Sequence, residues 1–203
     1  MKSRLANVWK MGVIGVIGAI GVLAVSCAKK PQPQTYFESE KIALPDSARV
    51  KAMLSVSQNN VRERLSAVLF AVPNERYRLE LSGTFGLSAA SILWKQDGWK
   101  VVIPQEERYM EGKGNCVSLP VYDSVDIHKL ALLFFGQKVN GLDCDNSGNH
   151  LNLEYKENFV LIHFDNDSLK LEIRNIDQKA KWGSGVWNLN IPEKYTPSSN
   201  FLH

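Results

Sequence analysis

The run Arg76-Tyr77-Arg78-Leu79-Glu80-Leu81 decides the fold class of this 203-residue chain, because polar and apolar side chains alternate strictly along it. Successive side chains of a β-strand point to opposite faces of a sheet, so a period of two predicts a strand with one buried face and one wet face. Residues 151–155 and 169–174 alternate in the same way. The sequence therefore predicts a mostly β fold.

Less strict runs extend this pattern along the chain, and clusters of Gly, Pro, Asn and Asp separate them as turns. The further predicted strands are residues 50–56, 64–71, 89–94, 99–103, 107–111, 159–164 and 186–191. The sum is about ten or eleven short antiparallel strands.

One stretch is predicted to be helical. Ser124 is a suitable N-cap, residues 125–135 are mostly apolar, and Gly136 is a typical helix stop. The apolar side of this helix is wide, which predicts a plug laid across the concave face of a curved sheet. Where such a sheet does not close on itself, it leaves an apolar cleft that an acyl chain could occupy.

The N-terminus has the pattern of a secretory signal peptide. Lys2, Arg4 and Lys10 form a basic region, residues 11–25 are apolar, and Ala24-Val25-Ser26-Cys27 follows. Small residues before a cysteine resemble the lipobox of bacterial lipoproteins, in which the signal is cut off before the cysteine and the cysteine is acylated. We therefore expect a lipid on Cys27.

The alternative is an uncleaved membrane anchor. Residues 11–26 fall short of the roughly 20 residues that span a bilayer, and the glycines of this segment weaken a permanent helix by roughly 1 kcal/mol each. Cleavage would remove three of the 24 basic residues and none of the 21 acidic ones, leaving 21 of each and a net charge of zero. A nucleic-acid partner then has no electrostatic basis.

The predicted organisation is a signal peptide at 1–26, the lipidated cysteine and a flexible tether at 27–45, and a folded domain at 46–203. Residues 28–45 hold three prolines and little apolar material, with one possible helical turn at 36–42, and as a coil they span roughly 20–25 Å. Ala28 is not the aspartate that marks inner-membrane retention in the enteric pathway. By that resemblance we expect an outer-membrane anchor, with the domain facing the periplasm.

The domain resembles the LolB branch of the LolA/LolB superfamily, which comprises periplasmic lipoprotein carriers and outer-membrane lipoprotein receptors. The resemblance spans about residues 49–191, and its motifs are diffuse. The residues that carry it are Tyr77-Arg78-Leu79-Glu80-Leu81-Ser82-Gly83-Thr84-Phe85-Gly86, a strand ending in Trp94, Ile103-Pro104, Tyr109-Met110-Glu111-Gly112, and the apolar segment 121–136.

This resemblance implies a half-open antiparallel β-barrel of about eleven strands with a helical plug. It also implies a receptor that accepts lipoproteins from a soluble LolA-like carrier and releases them into the outer membrane through a loop with an exposed apolar residue. The matching loop here is Gly83, Thr84, Phe85 and Gly86, with Phe85 at the apolar position. Two features depart from the family: Thr84 stands where proline is frequent, and the N-terminal stretch lacks a clear helix.

The residues themselves suggest the same role for Phe85. An aromatic side chain between two glycines at a loop tip is either exposed or folded back as a lid, and insertion into a headgroup boundary would contribute about 2–3 kcal/mol at roughly 25 cal/mol per Å². The alternative is that Phe85 packs beneath its loop.

Parity along the strands predicts the lining of an acyl-binding cleft. The candidates share large apolar side chains without charge, and the alternative is an ordinary packed core with no cavity. They are Tyr77, Leu79, Leu81, Ile92, Trp94, Trp99, Val101, Tyr109, Leu169, Leu171 and Ile173.

Cys116 and Cys144 are the two cysteines left once Cys27 is acylated. An oxidising periplasm favours a disulfide between them, and two free buried thiols are the alternative. Residues 143–154 have the spacing of a calcium-binding EF-hand loop, but the loop leads into an alternating strand instead of a helix. The four histidines show no metal-ligand spacing. We therefore expect no metal and no cofactor apart from the lipid on Cys27.

An enzyme is disfavoured, because the sequence shows no nucleophile elbow, no zinc-binding helix motif and no phosphate-binding glycine loop. The predicted partners are the outer membrane through the lipid, the acyl chains of lipoprotein cargo and a LolA-like carrier, and we expect a monomer. The alternative function is a structural or adaptor lipoprotein of an envelope assembly complex. An adaptor needs no cleft and should carry an apolar or charged patch on the convex face.

Overall fold

A computed structural model of the chain describes residues 36–37, 43–58, 61–119, 122–144, 151–164 and 167–198. The described residues belong to one compact unit, 35–203. The predicted signal peptide, Cys27 and most of the predicted tether lie outside the described residues.

Ten strands form the main sheet, and two more form a separate hairpin. The sheet has the strand order β12-β6-β5-β4-β3-β2-β1-β11-β10-β9, and β7 pairs with β8. The strands are β1 Ala48–Gln58, β2 Val61–Val72, β3 Arg76–Ser82, β4 Ser88–Lys95, β5 Gly98–Ile103, β6 Arg108–Gly112, β7 Cys116–Leu119, β8 Tyr122–Asp126, β9 Asn152–Tyr155, β10 Phe159–Phe164, β11 Asp167–Asp177 and β12 Thr196–Pro197.

The sheet is open. Its neighbours pair antiparallel, except that β12 lies parallel to β6, and the described parts of β9 and β12 stand at the two edges without pairing to each other. Over the described residues, a mostly β half-open barrel with one α-helix is therefore confirmed as the architecture. The predicted strands at 159–164 and 99–103 match their observed bounds to within one residue.

The strand registers define two ends of the sheet. At one end β3 begins, β4 ends and β11 ends, as the pairs Tyr77↔Trp94 and Arg49↔Asp177 show. At the opposite end β3 passes through Gly83 into β4, and β1 turns into β2. We call the first the helix end and the second the loop end.

Helix α1, Ile127–Phe134, lies at the helix end. Its first turn contains His128, whose ring packs edge-on against Tyr77 and Trp94. Beyond its last turn, Gly136 has a φ of +77°, and a Cβ there would lie 2.2 Å from the carbonyl oxygen of Tyr36. The predicted stop at Gly136 is confirmed, because only glycine fits this turn against that backbone.

The predicted cap at Ser124 is wrong. Asp126 is the N-cap, and its carboxylate accepts hydrogen bonds from the backbone N–H groups of His128 and Lys129 at 2.8 and 3.2 Å. Ser124 and Val125 belong instead to β8, which pairs with β7. β8 has only five residues and runs directly into an apolar helix, so its alternating polar and apolar side chains are easily mistaken for the first turn of that helix.

The core lies between α1 and the concave face of the sheet. The helix contributes five buried side chains, and alanines on β1 and β2 leave room for it on the sheet. The helical residues are Ile127, Leu130, Ala131, Leu133 and Phe134, and the alanines are Ala48, Ala52, Ala67 and Ala71. The expected helical plug is present.

Part of the predicted tether belongs to the folded unit. Phe37 is only 5% exposed and its ring packs 5.7 Å from that of Tyr155, while the Tyr36 hydroxyl donates to the carbonyl of Arg174. The predicted domain boundary at residue 46 is therefore too late for these two residues. Tyr36 and Phe37, two aromatic residues in a segment of prolines and lysines, were the sequence feature that indicated packing against the domain.

The predicted strand at 186–191 is wrong, because this segment is a strap across the convex face. It contains a short 3₁₀ turn, Ser184–Trp187, followed by irregular chain. The Trp182 ring packs edge-on against Phe70 and Trp187. Side-chain contacts with the outer face of the sheet hold this segment in place of the backbone hydrogen bonds of a paired strand.

Arg78 fastens the strap. Its Nη1 donates to the carbonyls of Val186 at 2.6 Å and Asn188 at 2.9 Å, and its Nε pairs with Glu80, which also accepts from the buried Ser91. Arg78 and Glu80 are polar side chains of the alternating run and lie on the outer face of β3. The strap covers part of this face, which the sequence predicted to be solvent-exposed.

Candidate functional site

Phe85 is held outward at the loop end. It is 96% exposed, and its backbone has a left-handed conformation with φ of 62° and ψ of 17°. The Gly83 N–H donates to the Leu87 carbonyl at 2.8 Å, and the Gly86 N–H donates to the Gly83 carbonyl at 3.2 Å. The loop is thus a closed turn with its aromatic ring in solvent, rather than a lid folded over the core.

This conformation has a cost. A left-handed backbone is unfavourable by roughly 1–2 kcal/mol for a residue with a Cβ, and glycine or asparagine is the usual occupant. Phe85 gains no packing in return. An exposed aromatic side chain on a strained backbone is more typical of a contact surface than of a structural turn.

Two other large apolar side chains are exposed at the same end. Leu87 follows the turn and is 63% exposed, and Val61 opens β2 and is 59% exposed. Within the described part of the chain, these two and Phe85 are the large hydrophobic side chains exposed to solvent. Phe85 was predicted from the sequence to be exposed, but Leu87 and Val61 were not, because an isolated Val or Leu beside a turn carries no periodic signal.

Five partly buried apolar side chains lie toward the loop end of the sheet. The register places them on the concave face of β2, β3, β9, β10 and β11. These five, which we call the mouth residues, are Leu65, Leu81, Leu153, Phe164 and Leu169. Leu81 and Leu169 were predicted to line a cleft, whereas Leu65, Leu153 and Phe164 were not.

Most of the predicted cleft lining faces inward but is packed. Eight of the candidates are buried in the core that α1 fills: Tyr77, Leu79, Ile92, Trp94, Trp99, Val101, Leu171 and Ile173. The parity of the strands was therefore correct for them, and the His128 ring of α1 packs against two of them, Tyr77 and Trp94. The mouth residues stay only partly buried on the core side of the sheet, as do Tyr155 and Ile176 toward the helix end.

Tyr109 was placed on the wrong face. Val101 faces the core and pairs with Met110, which is buried there, while Tyr109 pairs with Val102 on the convex side. The turn Pro104–Glu106 ends with Glu107 in a left-handed conformation, and β6 starts one residue later than predicted. This shifts the alternation by one residue relative to the expectation.

The helix end is closed by an aromatic and hydrogen-bonded cluster. The Tyr77 hydroxyl accepts from the Asn74 N–H at 3.1 Å and lies 3.4 Å from Nδ1 of His128, and Trp94 donates to the Gly114 carbonyl at 2.9 Å. Burial raises the pKa of Tyr77, and the Asn74 hydrogen bond opposes the shift. This cluster makes the helix end a structural closure.

Cys116 and Cys144 form a disulfide, with their Cα atoms 5.8 Å apart. The bond joins the start of β7 to the segment after α1. Lys129 and Leu151 add hydrogen bonds to Asp143 beside it. The disulfide therefore closes a loop of chain that contains the β7–β8 hairpin and the plug helix α1.

Residues 143–154 do not have the elements of a calcium loop where the structure describes them. Glu154 lies on β9, and its carboxylate pairs with Lys156 and His163. Both partners lower the pKa of Glu154, and Lys156 has the larger effect. No group of three or more potential metal ligands occurs among the described residues. Within the same residues, no helix has the length and apolar character to cross a bilayer.

The convex face carries a groove beside the strap. Its main part, about 610 Å³, is lined by Leu93, Lys95, Lys100, Trp187, Asn188, Leu189 and Asn190. Lys100, one of the lining residues, is paired with Glu111 at 3.0 Å. This is the kind of mixed apolar and charged patch that an adaptor would use.

Comparison with known proteins gives a limited result. No protein-family model matches the sequence, and no curated protein does. The structure is similar to the crystal structure of a LolA superfamily protein from Nitrosomonas europaea, with a TM-score of 0.46 and 8% sequence identity over 77% of this chain and 94% of the other. At that level of similarity, function has to come from the chain's own residues.

Proposed function

We propose that this protein is a membrane-anchored lipoprotein that binds the acyl chains of other lipoproteins at the mouth residues and passes them into the outer membrane beside Phe85. The observation that carries the proposal is the position of Phe85. It is almost fully exposed on a strained backbone at the loop end of the sheet, where the mouth residues are only partly buried, opposite the end that α1 closes.

The proposed mechanism uses the difference between the two ends. Acyl chains enter where Leu65, Leu81 and Leu169 leave apolar surface accessible, and the packed aromatic cluster blocks passage at the helix end. Contact of Phe85 with the headgroup boundary removes its ring from water, worth about 2–3 kcal/mol at roughly 25 cal/mol per Å². That contact brings the mouth against the bilayer, so an acyl chain can leave without crossing water.

The remaining parts of the proposal rest on the sequence. The lipobox pattern at Cys27 supports a lipid anchor, the residue after it favours the outer membrane, and a LolA-like carrier is the expected donor. A protein held by more than one acyl chain stays at its membrane, so a short tether would keep Phe85 within reach of the bilayer. No catalytic step is required.

The convex groove supports a second candidate, an adaptor of an envelope assembly complex. Lys95 and Trp187 line a cavity that plays no part in acyl binding. The two functions place their ligand on opposite faces of the sheet.

One binding experiment separates them. The compact unit 35–203 is incubated with a triacylated lipoprotein and with the same protein lacking its acyl chains, and complexes are isolated by size exclusion. Acyl-dependent binding that falls when Leu81 is changed to Glu supports the proposal. Lys95→Gln changes the charge by the same one unit on the convex face and should have no effect. Failure to bind either form would contradict acyl binding.

A further inference from the structure

At the loop end the β1–β2 hairpin extends past β3, while on its other side β11 stays paired with β1 as far as Ser57↔Ser168. β1 and β2 stay paired as far as Gln58↔Val61, whereas the pairing of β2 with β3 ends at Ser66↔Ser82. Five residues of β2 therefore extend past β3, a distance of roughly 17 Å at 3.4 Å per residue. The base of the projection lies beside the Phe85 loop, since a Cβ on Gly83 would be 3.8 Å from the Leu65 side chain.

This hairpin carries an exposed apolar side chain on one face and two exposed cations on the other. Val61 is followed by Arg62 and Arg64, both exposed, and neither forms an ion pair with a described residue. Their neighbours across β1 are Ser57 and Ser55, which offer no charge. Two arginines on one face of a strand, without an anionic partner among the residues that the structure describes, can bind an external one.

Two acidic residues near this end, Glu63 and Asp167, could neutralise the arginines if they lay on the same face. Glu63 is on the opposite face of β2 from the two arginines because side chains alternate along the strand. Asp167 opens β11, which lies on the far side of β1 from β2. The face that carries Arg62 and Arg64 therefore keeps its positive charge.

We propose that the β1–β2 hairpin is a second membrane-contact element, in which Arg62 and Arg64 bind the phosphate groups of anionic lipids while Val61 enters the headgroup boundary near Phe85. A planar guanidinium pairs with phosphate oxygens through two parallel N–H bonds, which suits this position better than a lysine would. The inference deepens the proposed function, because it specifies the lipid surface that the Phe85 loop approaches.

Hydrogen exchange on the full chain tests it. The chain is reconstituted into vesicles of phosphatidylcholine, or of phosphatidylcholine mixed with phosphatidylglycerol, and amide exchange is followed in peptides that cover the hairpin and residues 83–87. We expect exchange at the hairpin tip to slow by roughly tenfold or more on the anionic vesicles relative to the neutral ones, since two arginines near an anionic surface together strengthen contact by about 30-fold.

Matched variants identify the cause. R62Q/R64Q should abolish the difference between the two vesicle types, and K179Q/K181Q should preserve it. The control pair removes the same charge from two exposed lysines beyond the end of β11, at the helix end of the sheet.

Two results overturn the inference in distinguishable ways. If residues 83–87 are protected equally on both vesicle types and R62Q/R64Q changes nothing, the anionic-lipid site is wrong while membrane contact by Phe85 stands. If neither segment is protected on either vesicle, membrane contact at the loop end is wrong, and the proposed function fails with it.

Discussion

The backbone N–H of Gly83 donates to the carbonyl of Leu87 over 2.8 Å, and this bond closes the turn that holds Phe85 in solvent. Since Gly86 bonds back to Gly83 as well, two backbone hydrogen bonds hold the turn on either side of Phe85. Phe85 and the mouth residues thus share one end of the sheet in a fixed arrangement. The left-handed backbone at Phe85 lowers the stability of the fold slightly, as is common for strained residues at functional sites.

Changing Phe85 to Asn should separate function from stability. Asparagine tolerates a left-handed backbone better than phenylalanine does, so the free energy of unfolding should stay equal or rise by up to about 1 kcal/mol. Transfer of an acylated lipoprotein to vesicles should fall sharply. Urea denaturation and a vesicle transfer assay measure the two effects.

Phe85→Leu is the control for this pair of effects, because it keeps an apolar side chain at the same place. It should retain most of the transfer. A Phe85→Asn variant that transfers as well as the parent protein would exclude the insertion role.

Loss of the disulfide should cost much of the stability. Closing a loop of 28 residues between Cys116 and Cys144 contributes about 3–4 kcal/mol in the chain-entropy model. The Cys116→Ser/Cys144→Ser variant should unfold at a correspondingly lower urea concentration. A reductant should lower the midpoint of the parent and leave the variant unchanged; an insensitive parent would contradict the assignment.

Replacing Arg78 with Met should release the strap while leaving the concave face intact. Its side chain is only 18% exposed and bonds two strap carbonyls, so its loss leaves Glu80 without its cation and should cost about 2–3 kcal/mol. Amide exchange should rise across residues 182–190. Arg49→Met breaks a half-exposed pair with Asp177 and should cost less than about 1 kcal/mol.

If both arginine variants lose the same stability and the strap exchanges no faster in Arg78→Met, the strap is held by its tryptophans alone. Acyl-dependent binding is expected to survive Arg78→Met, because the strap and the mouth lie on opposite faces.

Stability should decline at alkaline pH. Burial raises the pKa of Tyr77 and of Tyr155 above the ordinary value of 10.0, so the folded state holds these protons more tightly than the unfolded state. Their contribution is fully present below about pH 10 and is lost as the pH rises through the folded pKa values. The slope of unfolding free energy against pH above 10 should be steeper in the parent than in the Tyr77→Phe/Tyr155→Phe variant. Equal slopes would contradict the burial effect.

The sequence was most informative where one periodicity ran uninterrupted. Residues 76–81 and 159–164 became strands as predicted, since local alternation and burial agree there. The sequence also located Gly136 and Phe85, because a glycine beside an apolar run or an aromatic residue constrains the backbone locally.

Other features depend on tertiary contacts that no local pattern contains. The segment 186–191 has a strand-like composition but bonds to Arg78 across the sheet, more than 100 residues away in sequence. Tyr109 changed face because a left-handed residue at Glu107 shifted the alternation. The prominence of Val61 follows from how far β1 and β2 stay paired, which is a property of register.

Photocrosslinking shows where a bound acyl chain lies on the protein. A lipoprotein carrying a photoreactive group in one acyl chain is bound to the unit 35–203, irradiated, and the modified residues are identified by mass spectrometry. We expect crosslinks at Leu65, Leu81 and Leu169, with adducts at Phe85 appearing when vesicles are added. Crosslinks confined to Trp187 and the convex groove would contradict acyl binding at the mouth.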